Sequence, residues 1–297
     1  MVSPSSRRRA VDHVREKLPR VSQRRACRAL GVPRATCRYR PRAPEKDRAL
    51  ARRMRALSSR HPRFGYRRIA ALLRQEGFAV NRKRVQRLWR LEALAVPRRQ
   101  RKRRRLGDAS AGRARRTAAG RNDVWSMDFV ADRTSDGRAL RVLVVLDEHT
   151  RVCVAVKAAR SIVGGDVLQA LLAAMRRHGV PRHVRCDNGP EFVGRTLREG
   201  LAGLEVATLY IEPGSPWQNG HVESLNGRLR DELLRREDFD TIEEAAALLE
   251  RWRVEYNTKR PHSALGYLTP VAFAARAGVG SAPLRRLPRK LMTRTAG

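Results

Sequence analysis

Apolar residues in the second half of the chain recur in the two patterns that distinguish strands from helices. Between residues 121 and 275, short apolar runs bounded by turn residues predict strands, and a longer stretch at 166–178 has helical spacing. The predicted strands are 124–131, 141–147, 151–158, 182–187 and 205–210. Strands that alternate with helices indicate an α/β layer fold.

The first 40 residues carry a compact helix-turn-helix pattern. A short basic helix at 7–18 precedes it, Ser22 is placed to cap a helix at 23–30, and Gly31 suits the position after that helix ends. The predicted buried side consists of Ala26, Leu30 and Val32. We expect this segment to touch DNA, although a small helical hairpin that only packs would show the same pattern.

A second helix-turn-helix pattern follows a predicted helix at 45–59. Gly77 separates its two helices, and Asn81 can cap the second. The predicted apolar faces are Tyr66, Ile69, Leu72 and Leu73 on the first helix and Val85, Leu88 and Leu91 on the second. The remaining face of the second helix is basic and suits phosphates: Arg82, Lys83, Arg84, Arg87 and Arg90. The alternative is an ordinary solvated charged face.

Charge is distributed unevenly along the 297 residues. The whole chain carries 65 Lys and Arg against 29 Asp and Glu, a net charge of +36. Residues 1–120 hold 38 of those bases and 7 of the acids, whereas 121–297 hold 27 and 22. Arginine-rich composition can reflect codon bias, but bias alone does not explain this split. The excess charge predicts nucleic-acid binding by the first part.

These patterns predict five segments. They are a helix-turn-helix-like segment at 1–44, a helical DNA-binding module at 45–96, a basic linker at 97–120, a catalytic core at 121–275 and a basic tail at 276–297. The linker has almost nothing apolar to bury, so we expect it to add affinity for DNA without reading sequence.

Other classes of protein are disfavoured by what the sequence lacks. The four cysteines, Cys27, Cys37, Cys153 and Cys186, form neither a zinc-ligand spacing nor a disulfide framework. No apolar run approaches the roughly 20 residues that span a bilayer, and the start lacks a signal-peptide core. We therefore expect a soluble cytoplasmic protein.

Three carboxylates stand out in the predicted core. Asp128 lies in the predicted first strand, Asp187 follows it by 59 positions, and Glu223 follows Asp187 by 36. An aspartate flanked by apolar residues inside a strand is costly to bury without a cation. Each acid alone also suits a structural role, in a turn or at a helix start, but together they predict a two-ion Mg²⁺ or Mn²⁺ site for phosphoryl transfer.

The sequence around these acids resembles that of a known family. DNGPEF begins at Asp187, PGSPWQNG precedes Glu223, and YNTKRPHSALGYLTP runs from Tyr256 to Pro270. These motifs and the acid spacing resemble the DDE transposases, in particular the second-frame products of IS3-family insertion sequences. The similarity runs from about Val21 to about Ala274, and HPRFGYRRIAALLRQEGFAVNRKRVQRLW resembles the helical module that precedes their core. The zinc module of retroviral integrases is not reproduced.

The resemblance implies a fold and an activity. It implies a ribonuclease-H-like core that cleaves DNA at terminal inverted repeats and transfers the strands through a circular intermediate. It also implies double-stranded DNA as partner, a homo-oligomer on that DNA, and an upstream-frame product with which this chain is fused or acts. A structure-specific nuclease of the same fold, or a transposon-derived DNA-binding regulator, remains the alternative.

Residues near Glu223 are candidates for contact with DNA. Trp217, Gln218 and Asn219 lie in a loop bounded by Gly and Pro, which can present an aromatic ring for stacking on a base. Asn226 and Arg230 follow Glu223 by three and seven positions, so they share its helix face. Gly227 would leave a gap there for a DNA backbone, or is simply tolerated near a helix start.

Overall fold

The chain folds into two compact units, and we describe each by itself. In the computed structural model the described residues are 3–38, 45–96, 116–212, 215–277 and 285–287. The units comprise residues 1–52 and residues 53–297. Most of the predicted basic linker and most of the predicted basic tail lie outside the described residues.

The first unit contains the predicted N-terminal helices. They are α1 (Pro4–Lys17), α2 (Gln23–Ala29) and α3 (Arg34–Arg38), and α4 (Glu45–Arg60) begins in this unit. Ser22 caps α2 as predicted, its Oγ accepting from the N–H of Arg25 at 3.3 Å, and Gly31 has φ +60°. Ala26 and Val32 are buried, but Leu30 is 42 % exposed, so that prediction was wrong. Leu30 is the cap residue beyond the last turn, and Cys27 fills the buried position in its place.

The second helix-turn-helix module consists of α5 (Tyr66–Gln75) and α6 (Arg82–Leu91). Asn81 caps α6, since its Oδ1 accepts from the N–H of Arg84 at 2.7 Å. The predicted burial of Leu91 was wrong because the buried stripe runs at spacings of three and four through Val85, Leu88 and Trp89. Leu91 lies off that stripe and is 70 % exposed.

A five-stranded mixed sheet forms the centre of the second unit. Its strands are β1 (Val124–Arg133), β2 (Ala139–Asp147), β3 (Cys153–Ala159), β4 (His183–Cys186) and β5 (Ala207–Tyr210). The order across the sheet is β3-β2-β1-β4-β5. β1 pairs antiparallel with β2 and parallel with β4, and β5 continues the parallel side. All the predicted strands are confirmed, with ends that differ by at most two residues.

Helices cover both faces of this sheet. Alternate residues of β1 face opposite sides, so Met127 belongs to one hydrophobic core and Val130 to the other. The first core is closed by α7 (Gly164–His178), α8 (Pro190–Val193) and α9 (Arg195–Ala202). The second is closed by α10 (Gly220–Leu229), a π-helical turn (Arg230–Leu234) and α11 (Ile242–Thr258). Two cores back to back confirm the predicted α/β layer fold.

The segment after α11 packs against the core. Arg260, His262 and Thr269 are buried in it, and α12 (Pro270–Ala277) adds Ala274 to the first core. Across the described residues, no helix has both the length and the apolar character that crossing a bilayer requires.

His262 makes this packing sensitive to pH. Burial, together with the charges of Arg260 and Arg228, lowers its pKa to about 2. The unfolded chain would bind a proton near the ordinary pKa of about 6.5, so the stabilisation is complete above that pH and is lost as pH falls towards 2. At pH 5 the loss is roughly 2 kcal/mol.

We therefore expect His262→Phe, which keeps a ring against Tyr256, to reduce the dependence of stability on pH. The measurement is the free energy of unfolding at pH 7.5 and pH 5. The change between the two pH values is then compared between wild type and variant. An unchanged difference between the two pH values would contradict a neutral, buried His262.

Candidate active site

Asp128 and Asp187 are neighbours because β1 and β4 pair in parallel. The register aligns Ser126 with Arg185, and two further residues along each strand bring the chain to Asp128 and Asp187. Adjacent strands lie about 4.8 Å apart. Asp128 lies within β1 and Asp187 directly follows the last residue of β4, as the sequence predicted.

The loop after Asp187 is shaped by a glycine. The N–H of Gly189 donates to Asp187 Oδ1 at 3.0 Å, and α8 begins at the next residue. A Cβ at position 189 would stand 3.0 Å from Asp187 Oδ1 and 3.4 Å from Glu191 Oε2. A larger residue at this position would have to displace the Asp187 carboxylate by a few tenths of an ångström.

Glu223 lies in the first turn of α10, which follows a 3₁₀ turn at Pro216–Asn219. Its side chain is exposed, whereas Asn226, one turn later, is 2 % exposed. The Asn226 Nδ2 donates to Asp128 Oδ2 at 2.8 Å. The face of α10 that carries Glu223 therefore points at Asp128, because positions i and i+3 share a helix face.

The charges of Asp187 and Glu223 act on Asp128. Burial first, and then these two charges, raise the pKa of Asp128 to about 6. The N–H of Phe129, which donates to Asp128 Oδ1 at 2.8 Å, and the charge of Arg230 oppose the rise. Three acids on separate elements thus share one site, with Arg230 as its nearby cation.

The residues of this site fit a hard divalent cation. The donors are carboxylate oxygens, the ligands such ions prefer, and clustered negative charge favours binding a cation. Within the described ranges, no three Asp, Glu, His or Cys side chains already stand at the spacing of a complete metal site. A bound ion would therefore draw the three carboxylates closer together than they stand in this structure.

A buried ion pair holds the loop before α10. Arg185, two residues before Asp187, contacts both oxygens of Glu148 at 3.0 and 3.1 Å, and both side chains are almost fully buried. The same guanidinium donates to the carbonyl of Gln218 at 3.1 Å and to that of Arg116 at 2.7 Å. Arg185 therefore ties β4 to the loop and to residues before β1. Sequence reasoning missed this pair, although an arginine inside a short apolar strand was a signal.

The predicted loop residues have different environments. Trp217 is 55 % exposed, as contact with DNA would require. The Gln218 Oε1 accepts from the N–H of Glu212 at 3.1 Å, and Asn219 is buried with its Nδ2 3.4 Å from the carbonyl of Met127. Gln218 and Asn219 therefore hold the loop in this structure. Contact of these two side chains with DNA stays a prediction, as it does for the buried Asn226.

A second group that the sequence did not reveal lies on the other side of the sheet. The Arg141 Nη1 donates to Glu191 Oε1 at 2.5 Å and lowers the pKa of Glu191. The Arg141 guanidinium lies 4.0 Å from the ring centroid of Phe129, which stacks on Phe192 at 4.8 Å. These contacts join the strand of Asp128 to the turn that follows Asp187.

The predicted phosphate-binding residues of α6 lie on the helix-turn-helix module, apart from the acids in sequence and fold. Arg82, Lys83 and Arg87 are exposed, and Arg84 is half-buried. The Arg82 guanidinium lies 5.5 Å from the ring centroid of Tyr267. Their contact with DNA stays a prediction.

Comparison with known proteins agrees with this architecture. Residues 118–216 and 204–270 match two descriptions of the integrase core domain, and residues 44–103 match an HTH-like domain. A 31.7 kDa protein of insertion element IS407 from Burkholderia multivorans is 41 % identical over 89 % of this chain and 94 % of its own length. The chain belongs to the IS3 family of insertion-sequence transposases.

The chain is also similar to a second insertion-element protein and, more distantly, to a solved structure. A 39.2 kDa protein of insertion element IS476 from Xanthomonas euvesicatoria is 38 % identical over 92 % of this chain and 78 % of its own length. Among solved structures, a simian T-cell lymphotropic virus intasome is 16 % identical, with a TM-score of 0.49 over 80 % of this chain and 78 % of that chain.

Membership of the IS3 family confirms the predicted fold class and function. The core is ribonuclease-H-like, the enzyme is a polynucleotidyl transferase of the integrase type, and its substrate is DNA. The HTH-like match overlaps the predicted module at 45–96. The segment boundaries themselves stay predictions.

Asn226 allows a test of how the transposase holds Asp128. Asn226→Ala removes a hydrogen bond to a charged group, a loss of roughly 1.5–3 kcal/mol, so we expect DNA cleavage to fall about 10- to 100-fold. Asn226→Asp places a like charge beside Asp128 and should lower the rate further. The measurement is single-turnover cleavage, with duplex affinity measured in parallel.

Ser224→Ala, an exposed position on the same helix, is the matched control and should cleave like wild type. Equal rates for Asn226→Ala and Ser224→Ala would show that the contact with Asp128 has no catalytic consequence.

Proposed function

We propose that this transposase cleaves DNA at the terminal inverted repeats of its own insertion sequence and joins the ends to target DNA with Asp128, Asp187 and Glu223 as its catalytic triad. One observation carries the proposal: the register of β1 with β4 brings Asp187 beside Asp128, and the charges of Asp187 and Glu223 both act on Asp128. Repulsion of this kind is costly in a fold unless a cation is bound there.

The three acids would hold two Mg²⁺ or Mn²⁺ ions. Asp128 would contribute to both sites, Asp187 to one and Glu223 to the other. Bound ions would supply Lewis-acid activation of water and of a DNA 3′-hydroxyl for attack on phosphodiesters.

The chain itself positions these acids. The N–H of Phe129 and the amide of Asn226 orient the two oxygens of Asp128, and the N–H of Gly189 orients Asp187. The Arg185–Glu148 pair holds the loop that leads into α10, so Glu223 enters its helix at a fixed place. No side chain is needed as nucleophile, because water and the 3′-hydroxyl attack in turn.

DNA would reach the site along the exposed side of α10. Arg230 is exposed and close enough to Asp128 to lower its pKa, so its guanidinium can meet a phosphate next to the acids. A Cβ at Gly227 would meet nothing within 4 Å, so this part of the helix is open. Trp217 offers a stacking surface beside it, and Arg82, Lys83, Arg84 and Arg87 would hold the flanking duplex.

We further propose that the active form is a homo-oligomer on paired ends and that it acts with, or fused to, the upstream-frame product. Joining two ends requires two sites in one complex. A strand-transfer assay with paired terminal repeats and Mn²⁺ also separates a transposase of this mechanism from a nuclease that cuts without joining.

Asp187→Asn keeps the shape of the side chain and removes one negative charge. We expect cleavage of labelled terminal repeats to fall by at least about 1,000-fold, while duplex affinity is retained. Asp132→Asn is the matched control, since Asp132 lies on the same strand as Asp128 and also accepts from the next N–H, that of Arg133 at 2.9 Å. Cleavage by Asp187→Asn at the rate of Asp132→Asn would refute the assignment of the triad.

Arg230→Glu reverses a cation that acts on Asp128 from the residue that directly follows α10. We expect this variant to lose end cleavage while the midpoint of thermal unfolding stays unchanged. Gly227→Leu should weaken DNA binding, because the leucine side chain fills the open stretch of the helix. Arg198→Glu, an exposed position on α9 at the opposite sheet face, is the control for net charge. Normal cleavage by both variants would show that this side of α10 does not hold the DNA.

A further inference from the structure

The helix that carries Glu223 does not end at α10. It continues without a break into the π-helical turn Arg230–Leu234. Such turns are rare, and they occur frequently at functional sites because their extra residue can be absorbed or released. Asp231 and Glu232 lie in this turn, eight and nine positions after Glu223, which is about 12–14 Å along a helix.

The helix-turn-helix module contacts this turn and the neighbouring α11 through charged side chains. Arg60 at the end of α4 donates to Glu255 Oε1 at 2.7 Å, and the Arg63 Nη2 lies 3.9 Å from Asp231 Oδ1. Arg60 is the last residue of α4 and Arg63 lies between α4 and α5, so neither belongs to the basic face of α6. These contacts therefore attach the module to the core without using the side chains predicted to bind DNA.

A buried cluster lies beneath these pairs. The Phe64 ring of the module lies 5.3 Å from the guanidinium of Arg260, which forks onto Glu232 of the π-helical turn at 2.6 and 3.0 Å. The Arg68 guanidinium also lies 5.3 Å from the centroid of the Phe64 ring. Module, π-helical turn and the segment after α11 thus meet at one point.

This junction is specific but loosely packed. A cavity of about 570 Å³ lies within it, lined by residues of both partners, among them Phe64, Glu232 and Trp252. Within the described part of the chain, Arg68 Nε and Arg260 Nη1 are buried without a hydrogen-bond partner. Burial and the charge of Arg260 lower the pKa of Arg68 to about 10. An interface with unpaired buried donors and a large cavity can be separated or shifted more easily than a close-packed one.

We propose that this junction couples the helix-turn-helix module to the catalytic helix, so that the position of the module on DNA sets the position of Glu223 and Asn226. In this scheme the π-helical turn changes its conformation. Asp231 and Glu232 contact the junction at one end of a continuous helix, and Glu223 lies near the other end. The inference rests on the proposed function only in assigning a catalytic role to Glu223. Arg63, Asp231, Arg60 and Glu255 are positioning residues in this scheme.

Charge reversal across the junction tests the coupling. One variant carries Arg60→Glu with Arg63→Glu, a second carries Glu255→Arg with Asp231→Arg, and a third combines all four and has the net charge of wild type. We measure hydrogen exchange of residues 220–236 with and without duplex DNA, duplex affinity, and kcat and KM for cleavage of terminal repeats.

We expect the first two variants to exchange faster over 220–236 and to lose about tenfold or more in kcat at saturating DNA, with KM changed much less. The fourfold variant should recover most of both losses, because opposite charges again face each other across the junction, while Arg235 and Lys259 meet new like charges. Phe64→Leu, which keeps apolar volume and removes the ring beneath Arg260, should act in the same direction. DNA binding should change the exchange of 220–236 in wild type and not in the first two variants.

Three results would overturn the coupling. They are wild-type exchange over 220–236 in the first two variants, a loss confined to KM, and a fourfold variant as impaired as its parents. If wild type itself fails to cleave, the proposed function fails instead, and the exchange data alone decide whether the module and the catalytic helix are coupled.

Discussion

The parallel pairing of β1 with β4 is the constraint on which the site depends. It is formed over three residue pairs, Val124 to Ser126 with His183 to Arg185, and it brings Asp187 to the level of Asp128. A slip of one residue would move every side chain of β4 to the other face. Val184 and Cys186 would then leave their core, so burial of apolar side chains enforces the register that gathers the acids. The apolar residues thereby stabilise an arrangement that the carboxylates alone would resist.

Several charged side chains that are buried elsewhere in the core contact an opposite charge, and this contrast marks the site. Glu148 and Arg185 bond to each other, and Arg185 also binds two carbonyls. Arg260 forks onto Glu232, and Arg141 binds Glu191. Asp128 is half-buried but has no cation in direct contact among the described side chains. Its neighbours are two more acids and an amide, which is the environment of a group that serves a ligand.

Much of this architecture can be predicted from the sequence, and there are physical reasons why the other features cannot. Apolar periodicity and turn residues locate the strands, and cap residues such as Ser22 and Asn81 locate helix starts. Leu30 was misplaced because it lies beyond the last turn of its helix, and Leu91 because it lies off the buried stripe of α6. Arg185 and Glu148 are 37 positions apart, and nothing local signals that they meet. The π-helical turn is equally hidden, since RDELL has ordinary helix-forming composition.

The division of the core into two faces has an evolutionary consequence. The face closed by α7 and α9 is mostly apolar packing apart from the Arg141–Glu191 pair, whereas the face closed by α10 carries Asp128, the amide that holds it and the junction with the helix-turn-helix module. Amino-acid substitutions on the α7 face can therefore be tolerated through compensating changes of side-chain volume. Substitutions on the α10 face must also preserve the distances between polar atoms. Insertion sequences that diverge while remaining mobile should accumulate their differences on the side of α7, and a copy that has lost mobility should show no such bias.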